Sequence, residues 1–324
     1  MPIATETVAE IMLGGEVRLL GANDAARSSF TAWAGNSLVA VDPSLNVLGR
    51  WPADRQRRGH HATYPGGGLA LISGPDEVRL LDHAGRTLWR YEHPPWSGAF
   101  ESGCTWFGEG GQPYAVVPAT SYDHCLVLRL DLDSGQPLAR APIEARPAGI
   151  IPVHHPDGWV GLSEGEGQDA ARTWWVWSAT QSAGRMPIEI LKAGWDDWIL
   201  SDVDSSGTKI ITTPHMGWRS PLMVRSFPGL DIVRSVDPPP GESWNEAAFF
   251  ADDMIVNALS APEHSQRRLV AISRRGKICD LDEHEDRWPR PAVYGTWLTA
   301  HRGTIRLRKM ARSDEEIPGQ MALW

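Results

Sequence analysis

Residues 57–91 read RRGHHATYPGGGLALISGPDEVRLLDHAGRTLWRY, and this stretch decides the fold. It parses into four short strands separated by turns. A strand near His61–Tyr64 is followed by the turn Pro65-Gly66-Gly67-Gly68, and a second strand starts at Leu69. The turn Gly74-Pro75-Asp76-Glu77 leads to a third strand, VRLLD. The turn around Gly85 then leads to a fourth, TLWRY. Val, Leu, Trp and Tyr suit pleated, half-buried strands, and the Gly, Pro and Asp clusters supply turn geometry.

The second half of this unit recurs along the chain. LVAVDPSLNVLGRW from Leu38 and LVLRLDLDSGQPLA from Leu126 are clear copies. WWVWSATQSAGRM from Trp174, LMVRSFPGLDIVRS from Leu222 and RLVAISRRGKICDL from Arg268 are weaker ones. Each turn opens on an acid or a serine: Asp42, Asp82, Asp131, Ser178, Ser226 and Ser273. A spacing of about 46 residues with all-β character predicts a β-propeller. Seven four-stranded blades use all 324 residues, so residues 1–324 are expected to form a single domain. The unit around 144–192 is poorly marked and leaves the count between six and eight. Ile199–Val203 and Lys209–Thr213 read as the first two strands of unit five, and Ala247–Phe250 and Met254–Ala258 as those of unit six.

The ends predict how the ring closes. The last unit offers strands near Tyr294–Thr299 and Thr304–Met310, with the terminal MALW as a third, and stops one strand short. The segment Thr7–Leu13 precedes the first complete unit. Residues 1–13 are therefore expected to supply the outer strand of the last blade and remove two sheet edges.

Residues 57–91 resemble a degenerate WD40-type repeat. Gly59-His60 stands where that family has its Gly-His pair, and Val78–Asp82 where a strand ends in Trp-Asp. SDVDSSGTKIITT around Asp204 resembles the family's first turn, and HAGRTLWRYEH is similar to quinoprotein-type propeller repeats. The resemblance implies a propeller and, by analogy of fold, a scaffold for a protein or peptide partner.

Bulk properties narrow the classes. A formal charge of −9 disfavours broad nucleic-acid binding, which requires phosphate neutralisation. No stretch approaches the ~20 apolar residues of a membrane span. MPIATETVAEIML carries no secretory pattern, so a cytoplasmic location is expected. Cys104, Cys125 and Cys279 are odd in number and lack CxxC spacing, as expected of reduced core thiols.

A meander alternates its connections between the two ends of the ring. The loops joining units (D-to-A) and those joining second to third strands (B-to-C) share one face, and here they are the longer and more varied ones. Function gathers on such loops. This face offers His60, Glu101, Asp197, His215 and Glu246 as candidate acid–base residues. It offers Arg58, His61, Trp96, Tyr122, His124, Trp195, Trp218, Arg219, Trp244, Asn245, Trp288 and Tyr294 as candidate ligand contacts. Sixteen tryptophans suit packing between blades, and those on loops suit an aromatic rim. His60-His61 and His154-His155 are adjacent pairs, which on a strand point to opposite faces and chelate poorly. No metal and no cofactor is expected. Asp202-x-Asp204-x-x-Gly207 reads as a plain turn. Two functions follow as expectations: a scaffold binding a protein or peptide on the loop-rich face, or a hydrolase, lyase or cyclase acting on a small molecule in the central pocket.

Overall fold

The computed structural model describes residues 3–311 apart from 54–59, 97–101, 120–123, 146–148, 167–168, 179–186, 195–196, 216–219, 252–253, 261–266, 282–286 and 294. Seven four-stranded antiparallel sheets form the blades of one propeller. Blade one is Val17–Ala22, Phe30–Ala34, Ser37–Val41 and Val47–Pro52. Blade two is Ala62–Thr63, Ala70–Ser73, Glu77–Leu81 and Thr87–Glu92. Blade three is Thr105–Phe107, Pro113–Pro118, Cys125–Leu130 and Pro137–Ile143. The poorly marked unit is a full blade four: Ile151–His154, Trp159–Glu166, Asp169–Trp177 and Ile190–Lys192. Blade five is Trp198–Val203, Lys209–Pro214, Leu222–Ser226 and Ile232–Val236. Blade six is Ser243–Ala251, Met254–Ser260, Arg267–Ile272 and Ile278–Asp280.

Blade seven closes the ring as expected, with one correction. Thr5–Met12 is its outer strand and runs antiparallel to Thr304–Met310. Thr304–Met310 is the third strand rather than the second, Trp297–His301 is the second, and Arg287–Pro291 is the innermost. The terminal MALW lies outside the described residues. Pro289 and Pro291 hid the inner strand, because proline argues against a ladder, yet an inner strand has one free edge and tolerates it. The turn at Arg302-Gly303 has φ of 41° and 87°, and it joins His301 to Thr304 in a tight hairpin.

The core is distributed among the seams. Among the described residues, seven apolar clusters each lie between neighbouring blades. One of them joins Val17, Phe30 and Val39 of blade one to Leu298, Ile305 and Leu307 of blade seven. Continuity through that last seam makes the ring a closed unit.

The repeated phrase is explained by the bonds its turn residue makes. The carboxylate of Asp42 accepts the N–H groups of Ser44 and Asn46, both at 2.8 Å. Asp82 accepts those of Ala84 and Arg86, both at 2.9 Å, and Asp131 that of Ser134 at 2.8 Å. Ser226 and Ser273 accept from Asp231 and Lys277, each at 3.1 Å. Side-chain acceptors of this kind fix the turn between outer strands. Ser178 departs from the pattern and donates its hydroxyl to the Gly158 carbonyl at 2.8 Å.

Tryptophans then tie two of these turns to the preceding blade. The Trp51 indole N–H donates to Asp82 O at 2.8 Å, and that of Trp89 to Leu132 O at 2.7 Å. Gly135 makes room for the second ring: a Cβ there would stand 2.6 Å from Trp89, and its φ is +70°. The expected packing role of tryptophan thus holds for these residues, and Trp106, Trp175, Trp244 and Trp297 are fully buried as well.

Candidate functional site: the axial cavity

The inner strands of blades one, four, five, six and seven surround a cavity of about 500 Å³ on the ring axis. Its volume falls in the range of small-molecule sites, about 300–1,000 Å³. Leu20 and Gly21, Ile151 to His154, Ile199 to Val203, Ser243 to Asn245, and Arg290 line it. His215 contributes from the B-to-C loop of blade five.

One end of the cavity is held by a single side chain. Arg27 sits in the loop between the first two strands of blade one, with φ of 55°. Its guanidinium donates to both oxygens of Asp202, at 3.0 and 3.1 Å, and to Val203 O at 3.0 Å. It also donates to Ala292 O at 3.0 Å and Phe249 O at 3.4 Å. Blade one is thereby tied to blades five, six and seven. Asp202 accepts the Phe249 N–H as well, at 2.8 Å. Burial pushes the Asp202 carboxyl above its ordinary range, and Arg27 opposes that shift. Three hydrogen bonds and a matching positive charge make the buried Asp202 carboxylate tolerable.

Both histidine pairs split as strand alternation predicts. His61 enters the seam, accepts the Ser73 N–H at 3.0 Å and packs edge-on to Trp33 at 5.1 Å. His155 does the same in blade four, contacting Gly207 O at 2.7 Å and Phe227 at 4.2 Å. His154 lines the axial cavity, and His60 meets the inner strand of blade one, its Nε2 3.0 Å from Leu20 O. Burial lowers both to a pKa of about 4, so both are neutral near pH 7. For His60, Arg290, His154 and Arg18 push in the same direction. For His154, Asp24 opposes the shift.

The remaining expected residues are placed as follows. His215 and Asn245 line the cavity. Trp244 is buried beside it, with its indole N–H on Val236 O at 2.9 Å. Asp197 is exposed, has φ of 69°, and accepts the His215 N–H on its carbonyl at 2.8 Å. Trp96 packs on the core between blades three and four, with His93 against its ring. His124 is half-buried, and its carbonyl accepts the Ala119 N–H. Arg58, Glu101, Tyr122, Trp195, Trp218, Arg219 and Tyr294 lie outside the described residues, as do the side chains of Glu246 and Trp288. The cavity lining therefore includes His215 and Asn245 but not His60, Asp197, Trp96 or His124.

Sequence reasoning missed Arg27, Asp202 and His154 as parts of this site. No local signal marks Arg27, because its partner is 175 positions away. The alternation of His154-His155 could have identified His154.

A second cavity of about 350 Å³ opens on the opposite face, between the A-to-B turns. Tyr64, Phe107, Gly108 to Gly111 and His154 line it. Among the described residues no group of three or more His, Cys, Asp or Glu side chains is placed to hold a metal. Asp204 serves its turn, accepting the Lys209 N–H at 2.9 Å. Burial raises the Cys104 thiol well above its ordinary pKa, which suits an inert core residue. Among the described residues no helix is long and apolar enough to cross a membrane.

No protein-family profile matches the chain, and no curated protein matches its sequence. Solved structures do match the fold. The β-propeller domain of Cps50 (Swd1) from Myceliophteria thermophila aligns with a TM-score of 0.58 at 12% identity, over 95% of this chain and 100% of that one. The Dos1 propeller aligns at 0.54 and 8% identity, over 95% and 96%. BamB from Moraxella catarrhalis aligns at 0.52 and 10% identity, over 96% and 99%. The chain is thus a seven-bladed propeller similar in fold to these three structures. At these identities the likeness concerns fold alone.

Proposed function

We propose that this propeller is a scaffold that binds an extended segment of a protein partner along the outer edge of blade five. The observation that carries this is the surface of its outer strand. Ile232 and Val233 are 53% and 54% exposed on consecutive positions of Ile232–Val236, so both faces of the strand present apolar side chains. Among the described residues the strand has a neighbour on one side only. An open, apolar edge is a template for strand addition.

Charge supports the choice of partner. Arg234 of the same strand donates to the carbonyls of Ser273 and Arg274, both at 3.1 Å. That bond fixes the basic turn Arg274-Arg275-Gly276-Lys277 of blade six beside the apolar edge, and its three cationic residues are exposed. In a chain of net charge −9 such a basic corner stands out. It fits an extended segment with apolar residues at alternate positions and acidic residues between or after them.

Selection from a displayed peptide library on the intact protein tests this. Enriched peptides should carry that pattern, and R275E/K277E and V233S should each weaken them at least fivefold. Enrichment insensitive to these changes but lost in W195A/W218A would overturn the edge and place binding on the loop-rich face.

A further inference from the structure

We propose that the smaller cavity, on the A-to-B face, binds an alkylated ammonium group among Tyr64, Phe107 and Trp159, with Asp24 and Glu109 supplying the counter-charge. This inference is independent of the partner-binding edge and concerns a different surface.

The cavity holds about 350 Å³, at the small end of the range for ligand sites, about 300–1,000 Å³. Blades two, three and four each bring one aromatic ring to its wall. Tyr64 follows the inner strand Ala62–Thr63. Its N–H donates to Leu69 O at 3.0 Å, and its carbonyl accepts the Gly67 N–H at 2.7 Å. Phe107 ends Thr105–Phe107 and meets Tyr64 edge-on at 5.5 Å. Trp159 opens Trp159–Glu166 and rests edge-on against Trp177 at 4.9 Å. Gly111 leaves room for the tyrosine: a Cβ there would stand 2.7 Å from the Tyr64 ring, at a φ of +80°. Tyr64 and Trp159 are half-buried, so part of each ring stays open to a ligand.

Charge decides which ligand. Asp24 and Glu109 line the cavity, and among the described residues no lysine or arginine does. Asp24 accepts the Ser28 N–H at 2.9 Å and also the Ser28 hydroxyl, neutral donors that leave its charge in place. Glu109 is exposed, and its backbone N–H on Ser178 O at 3.2 Å fixes this turn of blade three against blade four. Arg27 is matched by Asp202 and lines only the axial cavity. His154 and His155 add no opposing charge near pH 7, because burial lowers both from the ordinary histidine value.

Three aromatic rings and two carboxylates without a cation favour a positive ligand. Aromatic rings attract cations through their quadrupole, and quaternary ammonium groups are the ions best suited to them. A hard metal ion instead needs several oxygen ligands, and among the described residues no group of three or more His, Cys, Asp or Glu side chains is placed to hold one. An alkylated ammonium lays its methyl groups on the rings and draws its charge balance from Asp24 and Glu109.

Isothermal titration calorimetry of the intact protein with choline, and with a peptide carrying trimethyllysine, tests the assignment at constant ionic strength. At least one probe should bind with Kd below about 1 mM. Its neutral counterpart should bind at least tenfold more weakly: the tert-butyl analogue of choline, or the peptide with norleucine in place of trimethyllysine. E109Q alters an exposed side chain, so it should leave the thermal midpoint unchanged and weaken binding at least threefold. W159L should weaken it at least fivefold, and if W159L fails to fold, Y64L serves the same comparison. Tighter binding of choline assigns a free small molecule and tighter binding of the peptide a modified side chain, and either supports the site. Failure of both probes to bind at about 10 mM would overturn the proposal. So would equal binding of the neutral counterparts, or binding unaltered in the variants.

Discussion

Arg27 and Asp202 stand 175 positions apart in the chain and meet at 3.0 Å beside the propeller axis. Their side chains are 15% and 5% exposed. The pair ties blade one to blade five, and the other bonds of Arg27 reach blades six and seven. It is a second clasp on the ring, independent of the N-terminal strand. Arg27→Met leaves a buried carboxylate unmatched and should destabilise the protein by about 3–5 kcal/mol. The double variant R27M/D202L removes both charges and should recover at least half of that loss. Urea unfolding of the two variants makes the comparison, and equal losses would show that the arginine acts through packing alone.

The N-terminal strand is the first clasp. Thr5–Met12 pairs along Thr304–Met310, with Arg306 on Glu10 at 2.6 Å and Lys309 on Glu6 at 2.6 Å. These exposed ion pairs contribute little, about 0–1 kcal/mol each. The ladder and the packing of Ala9, Ile11 and Leu13 on the blade one–seven core contribute more. Deleting residues 1–13 should lower the thermal midpoint by well over 5 °C, whereas E6K/E10K should lower it by only a few degrees. An unchanged midpoint after the deletion would show that the strand does not close the ring.

The tryptophan seams predict a graded series. Trp89→Phe keeps an aromatic but smaller ring and loses the bond to Leu132 O, and it should cost at least about 1 kcal/mol. Gly135→Ala puts a Cβ against that ring at a positive φ and should cost more than about 1 kcal/mol. In W89F/G135A the two effects should fall short of additivity, because both act on one contact. Thermal denaturation of the three variants reads this directly.

Stability should also follow two of the histidines. The folded-state pKa values of His60 and His154 are lowered to about 4. The unfolded chain therefore binds more protons between about pH 4 and about pH 6.5. Stability is full above that window and falls as pH drops through it. A H60Q/H154Q variant should have a flatter profile over the same range, measured by thermal midpoint against pH.

Much of the architecture is legible because its signals are local. The acceptor at Asp42, Asp82 or Asp131 and the positive-φ residue after it, Leu45, Gly85 or Gly135, act within one turn, so the repeat survives in sequence. Strand alternation separates His60 from His61 for the same reason. The inner strand of blade seven was misread because Pro289 and Pro291 suit a free inner edge, which only the assembled ring reveals. Arg27 and Asp202 carry no joint signal at all, since their meeting depends on closure of the whole ring. The edge at Ile232 and Val233 is likewise invisible until the seams have claimed the other apolar residues.

The most direct test of the partner-binding edge is hydrogen–deuterium exchange of the intact protein, with and without a selected acidic, apolar peptide. Added pairing should slow exchange in residues 232–236 and in the neighbouring turn at 273–277. Slowing confined to the B-to-C and D-to-A loops, with residues 232–236 unchanged, would contradict the account.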